Sequence, residues 1–521
     1  MLSMLKSIAA AWLVTITISV AAQSNPEKYA SIITATGLKK HLTIIAGPEM
    51  EGRETATEGQ RKAATYIETY FKSLNLLPGN AGTYQQHYSL MEDSMVSGTI
   101  KLGKQEYVYS KDFMVNARAN KSQQIKSRSI VFGGYGINDS LYNDYDQLNV
   151  KGAIVVMAAG FPAQKIFRAN GTPLFSAWSL TRKVREAYKQ GAAGVFVISR
   201  TMLTIDSGTA GAQRLSGVYL PHSTDTGGIN NYAFISHDMF RKIFQPVVAK
   251  SLLQKLDSAA VFSLADHVAV KGRVEFNYAI VSYEKGTSSN VLAVLEGSDK
   301  KDEYVFLTAH YDHLGTKKGG VIYYGADDDG SGTVSVLEMA AAFAKAKADG
   351  NGPRRTIVFM TVSGEEEGLW GSEYYTDHPV FPLEKTSVDL NTDMVGRIDP
   401  KRTQGDSMNY VYVIGDDKIS SDLKPISEMI NNKYAHLELD YKYNDPKDQE
   451  RIYYRSDHYN FARKGVPIIF YFNGTHADYH RPTDTVDKIN FDLMEKRDHF
   501  IFYTAWEMAN RDEMLKRDIP L

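Results

Sequence analysis

The hydrophobic and polar positions of this chain change period along its length, and the changes mark its organisation. Over residues 58–75, Ala63, Ile67, Phe71 and Leu74 recur on one face of a 3.6-residue period, which predicts an amphipathic helix. Gly47-Pro48 and Pro78-Gly79 punctuate its surroundings, and Glu51-Gly52-Arg53-Glu54-Thr55 reads as a polar turn. Over residues 91–271 the texture differs. Short β-like runs (129–132, 153–157) sit beside glycine-rich turns such as Gly133-Gly134-Tyr135-Gly136. A helical stretch at 182–190 leads through Gly191-Ala192-Ala193-Gly194 into a strand at 195–198. From about residue 274 strands and helices alternate. The apolar runs 304–308, 356–362, 387–390 and 466–472 have strand length. Residues 331–347 predict a helix with Val334, Leu337, Ala341 and Ala344 facing inward and Gly350 beyond its end. This alternation predicts an α/β domain: a mostly parallel central sheet flanked by helices.

With 521 residues the chain exceeds one ordinary core, so at least two domains are expected. The pattern divides it into a leader at 1–22, an N-terminal part of the main domain at 23–90, an inserted β-rich module at 91–271 and the main domain proper at 272–521. The leader has Lys6, an apolar run at 8–20 and the small residues Ala21-Ala22, which together read as a secretory signal. The run is shorter than the ~20 residues of a membrane span. Export to the periplasm or beyond, without stable membrane insertion once the signal is removed, is therefore expected. Fifty-nine basic against 61 acidic residues leave a net charge of −2, so there is no electrostatic footprint for a nucleic-acid partner. The absence of cysteine removes disulfides, thiolate ligands and a thiol nucleophile.

What chemistry remains lies in acidic and imidazole groups, mostly just past predicted strand ends, where open α/β sheets build their sites. His310 and Asp312 are one residue apart; a carboxylate so placed can orient a metal-binding imidazole. His313, the next residue, is expected to point elsewhere. Gly325-Ala326-Asp327-Asp328-Asp329-Gly330-Ser331-Gly332 concentrates three carboxylates ahead of a helix, although Ser331 alone could supply an ordinary N-cap. Glu365 and Glu366 face opposite ways if the backbone is extended, so one can bind metal while the other faces substrate. Asp393 and His480 complete the set. Each segment alone has an ordinary reading as a solvated turn; the conjunction carries the case for a metal-dependent hydrolase.

These segments, with Glu365-Glu366-Glu367-Gly368-Leu369-Trp370-Gly371-Ser372, Asn391-Thr392-Asp393-Met394-Val395-Gly396, Ser456-Asp457-His458 and Tyr479-His480, closely resemble the co-catalytic di-zinc exopeptidases. That family includes aminopeptidase Y, the secreted bacterial leucyl aminopeptidases and, more distantly, glutamate carboxypeptidase II. The resemblance covers residues 275–510 and the Glu51-Gly52-Arg53 turn with its following helix. It implies two zinc ions, one on His310 and Asp393, the other on Glu366 and His480, with Asp328 bridging and a cis peptide after it. It implies Glu365 as general base, Asp312 as the partner of His310, and Tyr479 as an oxyanion donor. Asp329 stands where the family often has Asn. The middle block resembles the protease-associated domain inserted in several members. Peptides are the implied substrates and hydrolysis at their N-termini the implied activity. Competing readings are a single-zinc glutaminyl cyclase and a non-catalytic binding protein on the same scaffold. A carboxypeptidase or dipeptidase would need a cation for a free carboxylate, for which Arg451, Arg455 and Arg481 are candidates.

Overall fold

The computed structural model describes residues 26–116, 122–163, 166–169, 171–200, 218, 220–221 and 231–520; the signal read at 1–22 lies outside them. The chain forms two compact units, Met1–His87 with Ser288–Leu521, and Tyr88–Thr287. Among the described residues no helix is long and apolar enough to cross a membrane.

In the first unit the sheet runs in the order Glu438–Asp440, Tyr410–Ile414, Ile468–Phe472, Thr386–Thr392, Lys300–His310, Arg355–Val362 and the end of Ala269–Leu295. Its centre is parallel: Ile468–Phe472, Thr386–Thr392, Lys300–His310 and Arg355–Val362 share one direction. Antiparallel neighbours flank this centre on both sides, so the sheet is mixed. Every residue of Arg355–Val362 and Thr386–Thr392 is buried. Both faces are covered, which is why these strands read as continuous apolar runs and not as alternation. Val305, Leu307, Ile357 and Phe359 enter one core with the helices Ala35–Ile45, Glu58–Ser73, Gly332–Ala348 and Phe491–Asn510. Phe306, Val358 and Met360 enter the other with Tyr375 and Phe461.

The helix Gly332–Ala348 departs from the expected one-sided pattern. Val334 and Leu337 are buried as expected, but so are Val336, Met339, Ala340, Ala342 and Phe343, whereas Ala341 and Ala344 are only partly covered. The helix lies between the sheet and other helices, with the Phe343 ring 4.7 Å from Phe502 and 5.7 Å from Trp506. A helix covered on most sides loses the polar face that periodicity detects.

In the second unit Gln123–Phe132 pairs in parallel with Ile154–Ala158, which continues in parallel to Gly194–Ile198 and Tyr232–Ile235. Residues 269–278 pair antiparallel with the other edge of Gln123–Phe132. The unit carries its own helices, Leu180–Lys189, His237–Ile243 and Pro246–Asp257. Phe132 centres its core, 5.0 Å from the Phe262 ring and 6.0 Å from Phe240. Its limits, 88 and 287, lie outside the sequence-based 91–271. The strand Ala269–Leu295 runs straight through residue 271, and Gly272 marks only a register shift between Lys271 and Val274.

Candidate metal centre

The parallel strands bring their C-terminal ends to one edge of the sheet, since His310 registers with Val362, Thr308 with Asn391, and Thr392 with Tyr471. His310 ends its strand; Glu365 and Glu366 lie just past Arg355–Val362, and Asp393 follows Thr392 directly. Asp328 enters from the turn ahead of the helix Gly332–Ala348, and the Asp328–Asp329 peptide is cis. Gly325 opens that turn with φ 56°, and a Cβ there would overlap the Asp328 carbonyl, so the close approach needs glycine.

Asp328 is the centre of the arrangement. Its Oδ1 is 3.4 Å from His310 Nε2, and its Oδ2 is 3.1 Å from His480 Nε2. His310 Nε2 is 3.7 Å from Asp393 Oδ1 and 3.9 Å from Glu365 Oε2. On the other side His480 Nε2 is 2.9 Å from Glu366 Oε2. The five residues singled out in the sequence thus converge as two groups on either side of one carboxylate. His313 corrects the sequence reading. It is buried, and its Nδ1 lies 2.7 Å from Glu366 Oε1 and 3.8 Å from Asp328 Oδ2. The strand ends at His310, so the alternation that would have turned His313 away does not apply beyond it.

The donors suit a divalent cation. His310 Nε2, both ring nitrogens of His313, Asp328 Oδ2 and Glu366 Oε1 are buried and crowd together without being aligned as hydrogen bonds. Buried polar atoms are normally satisfied, so a concentration of unsatisfied donors facing one another calls for a positive charge among them. Within each of two sets, His310/Glu365/Asp393 and His313/Asp328/Glu366, candidate ligand atoms lie within 4.8 Å of one another. Imidazole nitrogens with carboxylate oxygens and no thiolate are a donor set that zinc accepts.

Electrostatics agree. Burial pushes the Glu365 carboxyl well up, and Glu366, Asp393 and Asp457 add to this against the pull of His310. Burial opposes a charge on His310, yet Glu365 and Asp393 raise it well above the usual imidazole range. His480 behaves alike: burial lowers it, but Asp328 and Glu366 raise it to about 10. Asp328 is held well below the carboxylate range because His310 and His480 outweigh its burial.

A surrounding shell fixes these groups. His310 Nδ1 is 3.1 Å from the main-chain carbonyl of Asp312, which selects the tautomer with Nδ1 protonated and leaves Nε2 as the acceptor. The Asp312 carboxylate is farther from that ring, at 3.6 Å. It accepts instead from Thr55 Oγ1 at 2.8 Å and from the Glu365 N–H at 3.2 Å, so it ties the Glu365 backbone to the N-terminal turn. Arg53 is fully buried and donates to the carbonyls of Ile45, Tyr311, Tyr324 and Gly325. Burial lowers it to about 10, with Asp312 and Asp328 opposing. Asp484 Oδ2 accepts from the N–H groups of Asp327 and Asp328, at 3.0 and 3.1 Å. The sequence analysis places Arg53 only within a polar turn and does not single out Asp484. Their roles depend on contacts more than 150 residues apart, which no local pattern reports.

Tyr479 stacks on His480 with ring centroids 3.9 Å apart, and its hydroxyl accepts from Arg455 Nη2 at 3.1 Å. Asp328, Glu365, Asp393 and Tyr479 open onto one pocket, whose remaining walls include Met394, Ile452, Arg455, Phe470, Phe472 and Thr475.

His313 is expected to hold Glu366. If a cation is held beside Glu366, His313→Ala should weaken its binding by about 10–100-fold, the usual effect of losing a group that orients a ligand. Chelator competition would measure it. An unaltered affinity would reduce His313 to packing.

Residues 290–505 match the profile of peptidase family M28. Over 256 residues the chain is 27% identical to a probable leucine aminopeptidase of Arthroderma otae, covering 48% of this chain and 66% of that protein. It is 25% identical over 259 residues to aminopeptidase YwaD of Bacillus subtilis, covering 48% of this chain and 51% of the other. The chain thus spans between half and two thirds of these relatives. Among solved structures, an aminopeptidase from Aneurinibacillus sp. strain AM-1 is similar over 95% of this chain and 99% of its own, with TM-score 0.52 and 17% identity, a likeness of fold.

Proposed function

We propose, from the match of residues 290–505 to peptidase family M28, that the protein is an exported zinc aminopeptidase removing N-terminal residues from peptides. The observation that carries this reading is Asp328, whose two oxygens face two separate donor groups at 3.4 and 3.1 Å. His310 and Asp393 would hold one zinc, Glu366 and His480 the other, with Asp328 shared. The names of the relatives support peptide hydrolysis with zinc. In this reading the unit 88–287 is a protease-associated domain, and the segment 1–22 directs export.

Zinc bound there supplies a water acidic enough to ionise near neutral pH. The residues of the chain manage the proton and the substrate. Glu365 is buried beside that position and takes the proton, then returns it to the departing amine. Its backbone N–H donates to Asp312, which fixes where the Glu365 side chain leaves the main chain. Tyr479 offers its hydroxyl proton to the oxygen of the scissile carbonyl while Arg455 occupies a lone pair of that hydroxyl. His310 keeps Nε2 unprotonated through its Nδ1 bond to the Asp312 carbonyl.

Chelation should abolish hydrolysis of aminoacyl chromogenic substrates, and zinc should restore it as occupancy approaches two ions per chain. One ion per chain together with pyroglutamate formation from N-terminal glutamine would replace this reading with a glutaminyl cyclase. The two donor groups weigh against that outcome, because a single ion has no use for His310 and Asp393 beside Glu366 and His480.

A further inference from the structure

His480 is the least enclosed of the five proposed ligands. Its side chain is 37% exposed, against 9% or less for His310, Asp328, Glu366 and Asp393. Its backbone has φ 55°, in the left-handed region that a residue other than glycine keeps only where its surroundings hold it. The segment that carries it follows the strand Ile468–Phe472 and is tied to the turn bearing Asp328 on both sides of His480. After His480, Asp484 accepts from the N–H groups of Asp327 and Asp328. Before it, His476 reaches the same turn. Its ring is buried, with Nε2 3.1 Å from Asp327 Oδ2. Its Nδ1 accepts from the Asp478 N–H at 3.2 Å, which leaves the proton on Nε2 and makes that nitrogen the donor to Asp327. Both ring nitrogens are thus taken, so His476 is not a further ligand. The other oxygen of Asp327 accepts from the Gly396 N–H at 2.7 Å. The Asp327 carboxylate, next in sequence to Asp328, therefore joins the segments that carry Asp393 and His480.

We infer that His476 is a positioning residue for His480, and that its bond to Asp327 sets how tightly zinc is held at the Glu366–His480 position without acting on the His310–Asp393 position. This rests on the paired-zinc part of the proposed function and not on the substrate. The selectivity follows from which anchors remain when the bond is lost. Asp327 keeps the Gly396 N–H, and the N–H groups of Asp327 and Asp328 keep Asp484, so the turn stays placed. His310 is held by its own strand, and Asp393 follows directly on Thr392. The near side of His480 loses its link to the turn. Asp478 does not replace that link, because its carboxylate accepts from Arg397, Thr483 and Lys488, none of them in the turn. An imidazole released in this way keeps its chemistry but samples orientations that miss the ion, and the loss of such a supporting bond weakens metal binding by about 10–100-fold.

The test measures zinc per chain of the full-length protein against free zinc set by a chelator, with thermal unfolding of the metal-free protein beside it. The variants are His476→Asn, His476→Gln and, as the reference for loss of that side, His480→Ala. Asn can still accept from the Asp478 N–H but is too short to reach Asp327, whereas Gln can place an amide N–H where the imidazole Nε2–H stands. At a free zinc where the native chain holds two ions and His480→Ala one, His476→Asn should also hold one. Its second ion should return at about 10–100-fold higher free zinc, and His476→Gln should hold two at the native level. Two ions in His476→Asn at the native free zinc would overturn the inference, as would loss of both ions together. Failure of His476→Gln to restore the second ion would also overturn it, because the bond to Asp327 would then not be what matters. A metal-free His476→Asn chain that no longer unfolds cooperatively would make His476 a packing residue and end the inference. A native chain that never takes up a second ion defeats the paired-zinc reading and this inference with it.

Discussion

Glu365→Gln is expected to lower kcat by about 10²–10⁴-fold, the range that a positioned general acid–base group supplies, while the protein keeps its full zinc content. The separation of the two readouts follows from the geometry. Glu365 Oε2 is 3.9 Å from His310 Nε2, farther than either Asp328 or Asp393. Of the acidic groups around His310 it is therefore the one whose charge is least needed to hold a cation. The amide of Gln keeps the shape and the backbone bond to Asp312 but has no basic oxygen able to take a proton. Burial pushes the Glu365 carboxyl up, with Glu366 and Asp393 adding to this. KM should change little, because the group acts on a proton and not on substrate binding. Zinc per chain and single-turnover rates would be measured together. Activity within a few-fold of native would remove Glu365 from the reaction; loss of zinc in parallel with activity would recast it as a ligand.

How far the sequence alone reveals this site depends on the residue. Three of the proposed ligand positions, His310, Glu366 and Asp393, sit at or just past strand ends, and strand ends are legible because fully buried parallel strands are short, continuous apolar runs. The family resemblance supplied their division of labour. Asp328 was legible from its three-carboxylate turn between glycines. His313 was misread because the rule of alternating side chains was carried one turn past the end of the strand. The signal that could have found it is its own position, three residues after His310 in a segment with no extended pattern. Asp312 was paired with the right histidine for an incomplete reason: its carbonyl meets the ring, and its carboxylate meets Glu365 and Thr55. Arg455 was one of three candidate arginines, and only the fold places it, and not Arg451 or Arg481, in the lining of the pocket beside Glu365. The domain limit near 271 followed a change of texture along the chain, and it falls inside one continuous strand, Ala269–Leu295.

Asp328→Ala should produce the deepest loss of metal of any single change. The substitution takes Oδ1 from the His310 side and Oδ2 from the His480 side at once. Removing a group that merely supports a ligand weakens metal binding by about 10–100-fold; removing a ligand shared by two ions should exceed that at both positions. His480→Ala touches one side only and should leave the His310–Asp393 position occupied. The comparison therefore separates a shared donor from two independent sites. At equal zinc, occupancy should fall from about two ions per chain to about one in His480→Ala and toward none in Asp328→Ala. Stability carries the same signature, because a ligand that binds only the folded state stabilises it by about 4 kcal/mol at a thousandfold excess over Kd. The native protein should gain that increment in thermal unfolding when zinc is added, and Asp328→Ala should gain almost none. Two tightly held ions in Asp328→Ala would show that its oxygens are bystanders, and the paired arrangement of the centre would have to be abandoned.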